Sequence, residues 1–319
     1  MTIAPLRGAP TPALLARVAA GQVGGLLLLG NAWRSAVATA AAVDRVQQVA
    51  CRRGSPLLVT IDQEGGTVRR LPWAPPTLSA ASMRTEAEVR RQAAGAAAAL
   101  RLAHVSVDLA PVADTISTPR SFLGTRSFGS DPTLVASLTA AFVSGLQGGG
   151  VAATAKHFPG LGSAVASTDD RAVTIGRGAA FLTARLAPFQ AAIAAGVRLV
   201  MVSNASYPAL DPSGAQAVFS HAIVTDLLRD RLGFDGVVVT DALDAKSVAA
   251  APHGPARALA AGVDLMLYSR TSASEEGYAS LARDAAASAT VRADLSAAIR
   301  RIDALKAWLA GHGGPTCKS

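Results

Sequence analysis

Six polar residues that could serve catalysis or binding each lie just past a predicted strand. They are Asp62, Asp114, Lys156, His157, Asn204 and Asp241. The carboxyl ends of parallel strands meet at one mouth of a barrel, so these side chains are expected to converge there. Carboxylates combined with hydroxyl-binding donors suit the cleavage of glycosidic bonds, a reaction that commonly uses a pair of carboxyl groups.

Asp241 follows the clearest strand pattern in the chain. Residues 237–239 are valines, with Gly236 before them and Thr240 after them. A β-branched run bounded by glycine is typical of a buried parallel strand. A carboxylate at the carboxyl end of such a strand lies where barrel enzymes carry their catalytic groups. An aspartate in this place can also serve only as a cap for the next helix, so its position alone leaves both roles open.

Several other residues have the chemistry of sugar ligands. Asp62 precedes a glycine pair that allows close backbone approach, and its carboxylate could accept bonds from two sugar hydroxyls. Arg70 could hold a carbonyl or carboxylate with its planar fork, although a turn with a surface arginine would look the same. Arg126 is a further candidate donor. Lys156 and His157 supply donors beside a rigid Phe-Pro-Gly bend.

The elements that must position these residues alternate between strand and helix about seven times, with short connections and no Pro-, Gly- or Ser-rich linker. This pattern favours an α/β fold of the TIM-type (β/α)8 barrel or a close variant. Open doubly wound sheets more often have about five or six strands. We therefore predict a single catalytic barrel domain over residues 1–319, in which the eighth strand is not evident.

The predicted strands cover residues 23–30, 56–61, 104–109, 151–155, 199–202, 237–240 and 263–267. The predicted helices cover residues 35–53, 86–102, 131–146, 179–195 and 220–231, a stretch that ends at 261, and the remainder from 274. The helix that begins at Asp131 and Pro132 has a good N-terminal signal, because Asp is a favoured cap and Pro a favoured first residue.

Charge and motif content argue against several other classes of protein. The formal net charge is +8, but the basic residues are scattered singly and in pairs, so no nucleic-acid partner is predicted. No glycine-rich phosphate loop follows a strand, and no His/Glu pair has metal-ligand spacing on a helix. The sequence predicts no cofactor and no metal. Its partner is expected to be a carbohydrate substrate, and a monomer is the favoured state.

Cysteine usage and apolar runs bear on the cellular setting. Cys51 and Cys317 lie far apart and predict neither a disulfide framework nor a metal site. Residues 1–12 show no signal peptide, and runs such as residues 23–29 are too short to cross a membrane. The expectation is a protein without membrane contact, cytoplasmic by default, or secreted if an export signal was removed.

Four motifs in order resemble glycoside hydrolase family 3, and together with the rest of the match they cover the chain from about residue 23 to residue 267. They are IDQEGG at 61–66, RSFGSDP at 126–132, KHFPG at 156–160 and GFDGVVVTD at 233–241. The chain is most similar to the single-domain β-N-acetylglucosaminidase branch, which acts in peptidoglycan recycling. The resemblance implies a TIM-type barrel and a retaining, two-step hydrolysis of terminal β-linked N-acetylglucosamine, or a related β-hexoside, from glycans or peptidoglycan fragments.

The resemblance also assigns roles to residues of this chain. Asp241 matches the nucleophile that attacks the anomeric carbon and forms a covalent glycosyl-enzyme intermediate. The positions that match sugar-binding residues are Asp62, Arg70, Arg126, Lys156 and His157. Asn204 occupies a position where the family pattern has His, and it is counted with the substrate-binding set.

One loop departs from the family pattern. The branch carries an Asp-x-His pair after its KHFPG motif, and the His acts as general acid/base. In this chain Ser167 stands at the Asp position and Asp169 at the His position. Three explanations remain open: Asp169 or Asp170 supplies the proton, another group or the substrate assists across a mobile loop, or the barrel binds or senses carbohydrate with little hydrolysis. Access to the site is expected to depend on residues 161–175.

Overall fold

A parallel barrel of eight strands forms the centre of the molecule, in a computed structural model that describes residues 2–317. The barrel strands are β1 Thr2–Leu6, β2 Gly25–Leu28, β3 Leu58–Ile61, β6 Val107–Asp108, β7 Ala152–Phe158, β8 Leu199–Val202, β9 Val237–Thr240 and β10 Met266–Leu267. Around the barrel they follow the order β10-β1-β2-β3-β6-β7-β8-β9. A backbone bridge between Val239 and Leu265 joins β9 to the start of β10 and closes the ring.

A short antiparallel hairpin interrupts the alternation after β3. Its strands are β4 (Gln63–Gly65) and β5 (Val68–Arg69), which pair with each other and not with the barrel. The hairpin therefore stands at the carboxyl end of β3, on the face where a barrel carries its catalytic groups. It holds Glu64 and leads directly into Arg70.

Helices surround the barrel and return the chain from one strand to the next. They are α1 Pro12–Ala19, α2 Ala36–Cys51, α3 Glu86–Leu102, α4 Pro132–Gly148, α5 Ala179–Ala184, α6 Ala187–Ala194, α7 Gly254–Ala261, α8 Thr271–Ala287 and α9 Ala289–Gly311. Residues Ala222–Arg231 form a helix with π-type hydrogen bonding, and short 3-10 helices cover Ala80–Ser82, Gly124–Arg126 and Ala217–Phe219. None of the helices in residues 2–317 combines the length and apolar character that a membrane span requires.

The barrel prediction is confirmed, and the strand that the sequence concealed is β1. Thr2–Leu6 is fully buried between β10 and β2. Pro5 lies within it, and proline inside a short run argues against a strand because it has no N–H for the ladder. The first helix, α1, was also not predicted.

The helix predicted for residues 179–195 is wrong in one respect, because the structure divides it into α5 and α6. Pro188 lies in the first turn of α6, where its missing N–H is not needed. Pro188 has no N–H for the carbonyl of Ala184, four residues earlier, and its ring would clash with that carbonyl, so α5 ends at Ala184 and a new helix begins.

The two cysteines form a disulfide, which corrects the expectation that they do not pair. Cys51 ends α2 and Cys317 follows α9, and their Cα atoms lie 5.2 Å apart although 266 residues separate them in sequence. Spacing could not reveal this bond, because only the closure of the barrel brings the end of the chain back to α2.

Loss of this disulfide is expected to lower the free energy of unfolding by about 2–5 kcal/mol, since a bridge across so long a loop restricts the unfolded chain. The measurement is thermal unfolding of the Cys51→Ser/Cys317→Ser double variant beside wild type, with and without reductant. Reduced wild type should match the double variant. Equal unfolding temperatures in all three samples would show that the bond contributes nothing to stability.

Candidate active site

Asp241 lies at the carboxyl end of β9 in the barrel mouth. β9 pairs with β8 in parallel up to Val202 and Thr240, and the Asp241 N–H then donates to the Val202 carbonyl at 3.1 Å. One carboxyl oxygen of Asp241 accepts the Ala242 N–H at 2.7 Å, while the residue stays partly exposed. The backbone is thus fixed by the sheet, and the carboxylate keeps its second oxygen for chemistry.

Lys156 and His157 come from the end of β7, where the pairing with β8 shifts register between Lys156 and Phe158. Such an irregularity redirects a side chain at the end of a strand. Lys156 extends its ammonium group toward the β3 loop, whereas His157 contacts the β6 loop. One strand therefore contributes donors to two sides of the mouth.

A buried ion cluster lies beneath the mouth. The Lys156 ammonium contacts Asp62 at 2.8 Å and Glu64 at 2.6 Å. Arg126 forms a fork-shaped pair with Glu64, in which its Nε and Nη2 donate to the two carboxyl oxygens at 2.8 Å each. Glu64 and Lys156 expose 3% and 2% of their side chains, but Asp62 exposes 19% and Arg126 23%. Asp62 and Arg126 are therefore the members that reach the open side of the cluster.

The pairing keeps Glu64, Lys156 and Arg126 charged. Burial alone would raise the pKa of Glu64, but Lys156 and Arg126 outweigh it and lower this pKa to about 2. Burial would lower the pKa of Lys156, yet Asp62 and Glu64 raise it above the usual lysine value. For Arg126, too, the attraction of Glu64 outweighs burial and raises the pKa. The site therefore presents fixed charges and fixed donors to a polar ligand.

Asp114 organises the other side of the mouth. It is fully buried, and one of its carboxyl oxygens lies 2.7 Å from His157 Nδ1 and accepts the His157 N–H at 3.1 Å. The other oxygen accepts the Leu161 N–H at 2.5 Å. The Ser127 hydroxyl donates to the Asp114 carbonyl at 2.6 Å and so ties the Arg126 segment to the same loop. With Nδ1 engaged, Nε2 is the ring nitrogen of His157 that is left for a ligand.

The hairpin that carries Glu64 needs glycine at its turn. Gly65 has φ +99°, and a Cβ there would lie 2.2 Å from the Leu78 carbonyl oxygen. Arg70 follows the hairpin half-buried, and its Nε is buried without a hydrogen-bond partner among residues 2–317.

Asn204 lies behind the nucleophile candidate and not in the opening. It is fully buried, and its side-chain amide donates to the Ala242 carbonyl at 2.9 Å. Its side-chain oxygen is buried, with no partner within the described part of the chain. This contact supports the segment that carries Asp241.

The loop over residues 161–175 is attached to one wall of the mouth at its start. The Phe122 N–H donates to the Ala164 carbonyl at 3.1 Å, and the Ser117 N–H donates to the Gly162 carbonyl at 3.2 Å. The loop passes so close to its neighbour that a Cβ at Gly162 would lie 2.0 Å from the Thr115 carbonyl oxygen. The first half of the loop is therefore part of the β6 side of the mouth.

The second half of the loop is attached to the segment after Asp241. The Lys246 N–H donates to the Asp169 carbonyl at 3.1 Å, and the Ser247 N–H donates to the Thr168 carbonyl at 3.3 Å. Near its end, the Ile175 N–H donates to the Ser206 carbonyl at 2.8 Å. With both halves bonded to neighbouring loops, residues 161–175 form a fixed rim that holds Asp169 beside the β9 loop.

Asp169 is electrostatically coupled to the nucleophile candidate. Its pKa is raised, first by partial burial of the carboxyl group and then by the nearby charge of Asp241. The Ser167 hydroxyl and His157 lower it in part. The residue as a whole is exposed to solvent, and so is Asp170. Two carboxyl groups whose environments differ in this way are the usual arrangement for separate acid and nucleophile roles.

Comparison with known proteins places this geometry in a family. Residues 6–305 match the glycosyl hydrolase family 3 N terminal domain. An uncharacterised secreted glycosyl hydrolase of Arthroderma benhamiae is 34% identical over 287 residues, which cover 83% of this chain and 79% of that protein. The chain belongs to glycoside hydrolase family 3 and is a glycoside hydrolase.

Solved structures agree with this assignment. A β-N-acetylhexosaminidase from Beutenbergia cavernae superposes with a TM-score of 0.86 and 33% identity, covering 98% of this chain and 96% of that chain. A family 3 β-N-acetylglucosaminidase from Paenibacillus gives a TM-score of 0.92 and 30% identity. All of this chain is covered in that case but only 62% of the Paenibacillus chain, so the match spans one part of a longer protein.

The structure gives specific contacts to two residues for which the sequence offered none. Glu64, within the IDQEGG motif, joins the ion cluster, and Asp114, one of the six polar residues just past a strand, holds His157. Their position just past a strand was the available signal. The sequence could not show that Glu64 points inward between two cations while neighbouring Gln63 holds the hairpin.

Proposed function

We propose that the chain is a retaining exo-glycosidase that removes terminal β-linked N-acetylhexosamine, with Asp241 as nucleophile and Asp169 as general acid/base. The observation that carries this proposal is the coupling of the Asp169 carboxyl group to Asp241, on a rim bonded to the β9 loop. The names of the Beutenbergia and Paenibacillus structures support the choice of sugar.

In the first step, a carboxyl oxygen of Asp241 attacks the anomeric carbon while the bond to the aglycone oxygen breaks. Asp169, whose raised pKa favours its protonated form, gives its proton to that oxygen and becomes a carboxylate. The products of this step are a free alcohol and a glycosyl ester on Asp241.

In the second step, the Asp169 carboxylate takes a proton from water. The water oxygen, made more nucleophilic by this proton transfer, attacks the anomeric carbon, and the ester bond to Asp241 breaks. Asp241 leaves as a carboxylate and Asp169 is protonated again, so both groups return to their starting states. Two inversions at one carbon give overall retention of the β configuration.

Substrate binding is assigned to the open side of the ion cluster. Asp62 accepts bonds from sugar hydroxyls, and Arg126 and Lys156 donate to them. The free His157 Nε2 accepts from a hydroxyl, because the ring donates its Nδ1–H to Asp114. Pairing with carboxylates holds the charges of Arg126 and Lys156, so these donors need little reorganisation when the oxocarbenium-like transition state forms. Arg70 has an unused donor in the same region and is assigned to the same set.

Asp169 is preferred to Asp170 as the acid/base for a specific reason. The charge of Asp241 acts on Asp169 and raises its pKa, and the Asp169 carbonyl is bonded to the loop that follows Asp241. Asp170 is the next residue and points its backbone N–H to the Ser167 carbonyl at 3.2 Å. It remains the alternative, and the substitutions below separate the two.

Asp169→Asn is expected to slow substrates with poor leaving groups by roughly 10²–10⁴-fold and activated aryl glycosides far less. A good leaving group departs without proton donation, whereas a poor one needs it. The measurement is kcat/KM across a series of aryl N-acetyl-β-glucosaminides of graded leaving-group pKa. The fall of activity at alkaline pH that reports loss of the Asp169 proton should also disappear in the variant.

Asp170→Asn is the matched control, because it makes the same chemical change at the adjacent exposed residue. It should leave the leaving-group series and the pH profile close to wild type. An Asp169→Asn variant whose loss is the same for every leaving group would remove Asp169 from the acid/base role. If only Asp170→Asn showed the dependence of activity on the leaving group, the acid/base role would belong to Asp170.

The choice of sugar is tested by comparing a chromogenic N-acetyl-β-glucosaminide with the corresponding β-glucoside. The proposal expects the N-acetylated substrate to have the higher kcat/KM. A wild type that cleaves neither substrate faster than Asp241→Ala would contradict the enzymatic proposal and favour a protein that only binds carbohydrate.

We also propose that the chain works in an oxidising compartment outside the cytoplasm. The Cys51–Cys317 disulfide supports this, since such bonds persist in oxidising surroundings and are rare in the cytosol. The Arthroderma benhamiae relative is named as secreted. Thiol trapping of protein taken from its native source should find both cysteines blocked. Two freely alkylated cysteines would contradict the proposal.

A further inference from the structure

Asp108 is a buried carboxyl group that the proposed mechanism does not use. It ends β6 and has no exposed surface. One of its oxygens accepts the Gln63 N–H at 3.0 Å. The other oxygen is buried and has no hydrogen-bond partner among residues 2–317. Burying an ionised carboxylate with one unpaired oxygen costs free energy, which favours the neutral form of the group.

The charges that act on Asp108 come from the sugar-binding cluster. Lys156 on β7 lowers its pKa, while Asp62 and Glu64 on either side of the hairpin start raise it. Within the cluster, the positive charges of Lys156 and Arg126 already face the two carboxylates of Asp62 and Glu64. An ionised Asp108 would add a third negative charge with no cation of its own.

Burial is the largest influence on the pKa of Asp108. It raises this pKa to about 8, although the Gln63 N–H and Lys156 act in the opposite direction. At neutral pH the group is therefore predominantly a neutral carboxylic acid.

The contact between Asp108 and Gln63 links this group to the ligands of the sugar. Gln63 lies between Asp62 and Glu64, so its backbone position sets the direction of both carboxylates. Its side chain also holds the hairpin, since its amide donates to the Ala74 and Pro75 carbonyls at 3.1 and 2.9 Å. A change at Asp108 is thereby transmitted to the residues that bind the ligand.

We propose that Asp108 is a positioning residue that, as a neutral carboxylic acid, holds the Asp62–Glu64 segment in its binding geometry, and that its ionisation weakens sugar binding at alkaline pH. The proposal rests on the proposed function in one respect, namely that Asp62 and its neighbours bind the sugar. Asp108 itself does not contact the sugar and is not a catalytic residue.

The first test is calorimetric binding of free N-acetylglucosamine to wild type and to Asp108→Asn between pH 6 and pH 10. If the ionised form does not bind, the wild-type Kd rises by about tenfold for each pH unit above the pKa of Asp108. Asparagine keeps an acceptor for the Gln63 N–H and cannot ionise, so the Kd of the variant should stay nearly flat. The pKa of Lys156 is raised above its ordinary value, so the lysine keeps its charge over most of this range.

The second test measures the charge of Asp108 without any sugar. Its pKa is raised from the ordinary value of 3.8 to about 8 in the folded protein, so the folded state holds a proton that the unfolded state has lost between these values. The contribution of this group to stability is therefore full below about pH 4 and declines as the pH rises to about 8. Thermal unfolding of Asp108→Asn should lack this decline.

Asp131→Asn is the matched control. Asp131 also accepts one backbone N–H, from Thr133 at 2.9 Å, but it is exposed and caps α4. It should match wild type in both tests. If Asp108→Asn does not fold, Asp108→Ser also removes the ionisation and is measured in its place.

The outcomes separate the two proposals. A Kd that weakens equally with pH in wild type and Asp108→Asn overturns the role of Asp108. An unfolding profile that is the same in both also overturns it, because the group would then be charged throughout. A wild type that binds no N-acetylglucosamine at any pH overturns the proposed function, and the unfolding profiles still report the charge of Asp108.

Discussion

Replacing Asp241 by alanine is expected to lower kcat by at least about a thousandfold on every β-glycoside that the wild type cleaves. In the proposed mechanism its side chain supplies the atom that bonds to the anomeric carbon. The fold should be little affected, since the residue is partly exposed and its carboxylate accepts only the Ala242 N–H among residues 2–317. Steady-state kinetics and thermal unfolding measure the two effects.

Azide provides a sharp control for this substitution. A small anion can enter the space left by the carboxylate and attack the anomeric carbon of an activated substrate, which yields a glycosyl azide of inverted configuration. Asp170→Ala, which removes an exposed carboxylate from the same mouth, should keep most of the activity. An Asp241→Ala variant within about tenfold of wild type, without azide, would contradict the nucleophile assignment.

Replacing Glu64 by alanine is expected to lower the free energy of unfolding by about 3–5 kcal/mol, because it leaves Lys156 and Arg126 buried without their shared carboxylate. The same loss should raise KM, since Asp62 and Arg126 depend on this cluster for their positions. Chemical denaturation and steady-state kinetics measure the two consequences.

The acid side of the stability curve gives a second readout for Glu64. Its pKa is lowered from the ordinary value of 4.5 to about 2, so its contribution is fully present above about pH 4.5 and is lost as the pH falls to about 2. The variant should show a shallower loss of stability in that window. Glu86→Ala, an exposed carboxylate in the first turn of α3, is the control. Equal losses in the two variants would contradict the central role of the cluster.

The fold was predictable where local signals and tertiary structure agree. The valines of β9 and the capped start of α4 at Asp131 both lie where the sequence placed them. β1 was missed because Pro5 contradicts a strand, while the barrel still buries all five of its residues. The pairing of Cys51 with Cys317 depends on barrel closure, which no local pattern contains.

The site was predictable in its position and less so in its connections. Asp62, Lys156, His157 and Asp241 could be placed at one mouth, because strands of one barrel end together. The pairing of Lys156 with Glu64 depends on the register shift at the end of β7, and the neutral state of Asp108 depends on its depth in the core. Both are properties of packing that sequence spacing does not report.

The attachment of residues 161–175 to both walls is another property of this kind. The sequence predicted that this loop governs access, and a mobile loop was among the explanations for the missing His. Backbone bonds at Ala164 and Asp169 join this loop to both neighbouring loops. In the proposed mechanism they position Asp169 before the substrate binds, which reduces the reorganisation that the first step requires.

The central claim is a covalent bond between the sugar and Asp241. The most direct measurement is mass spectrometry of the enzyme after reaction with an activated fluorosugar that forms the intermediate quickly and hydrolyses slowly. We predict an added mass of one glycosyl group on wild type, located by peptide mapping at Asp241. An active enzyme that accumulates no adduct, or an adduct on another residue, would contradict the account.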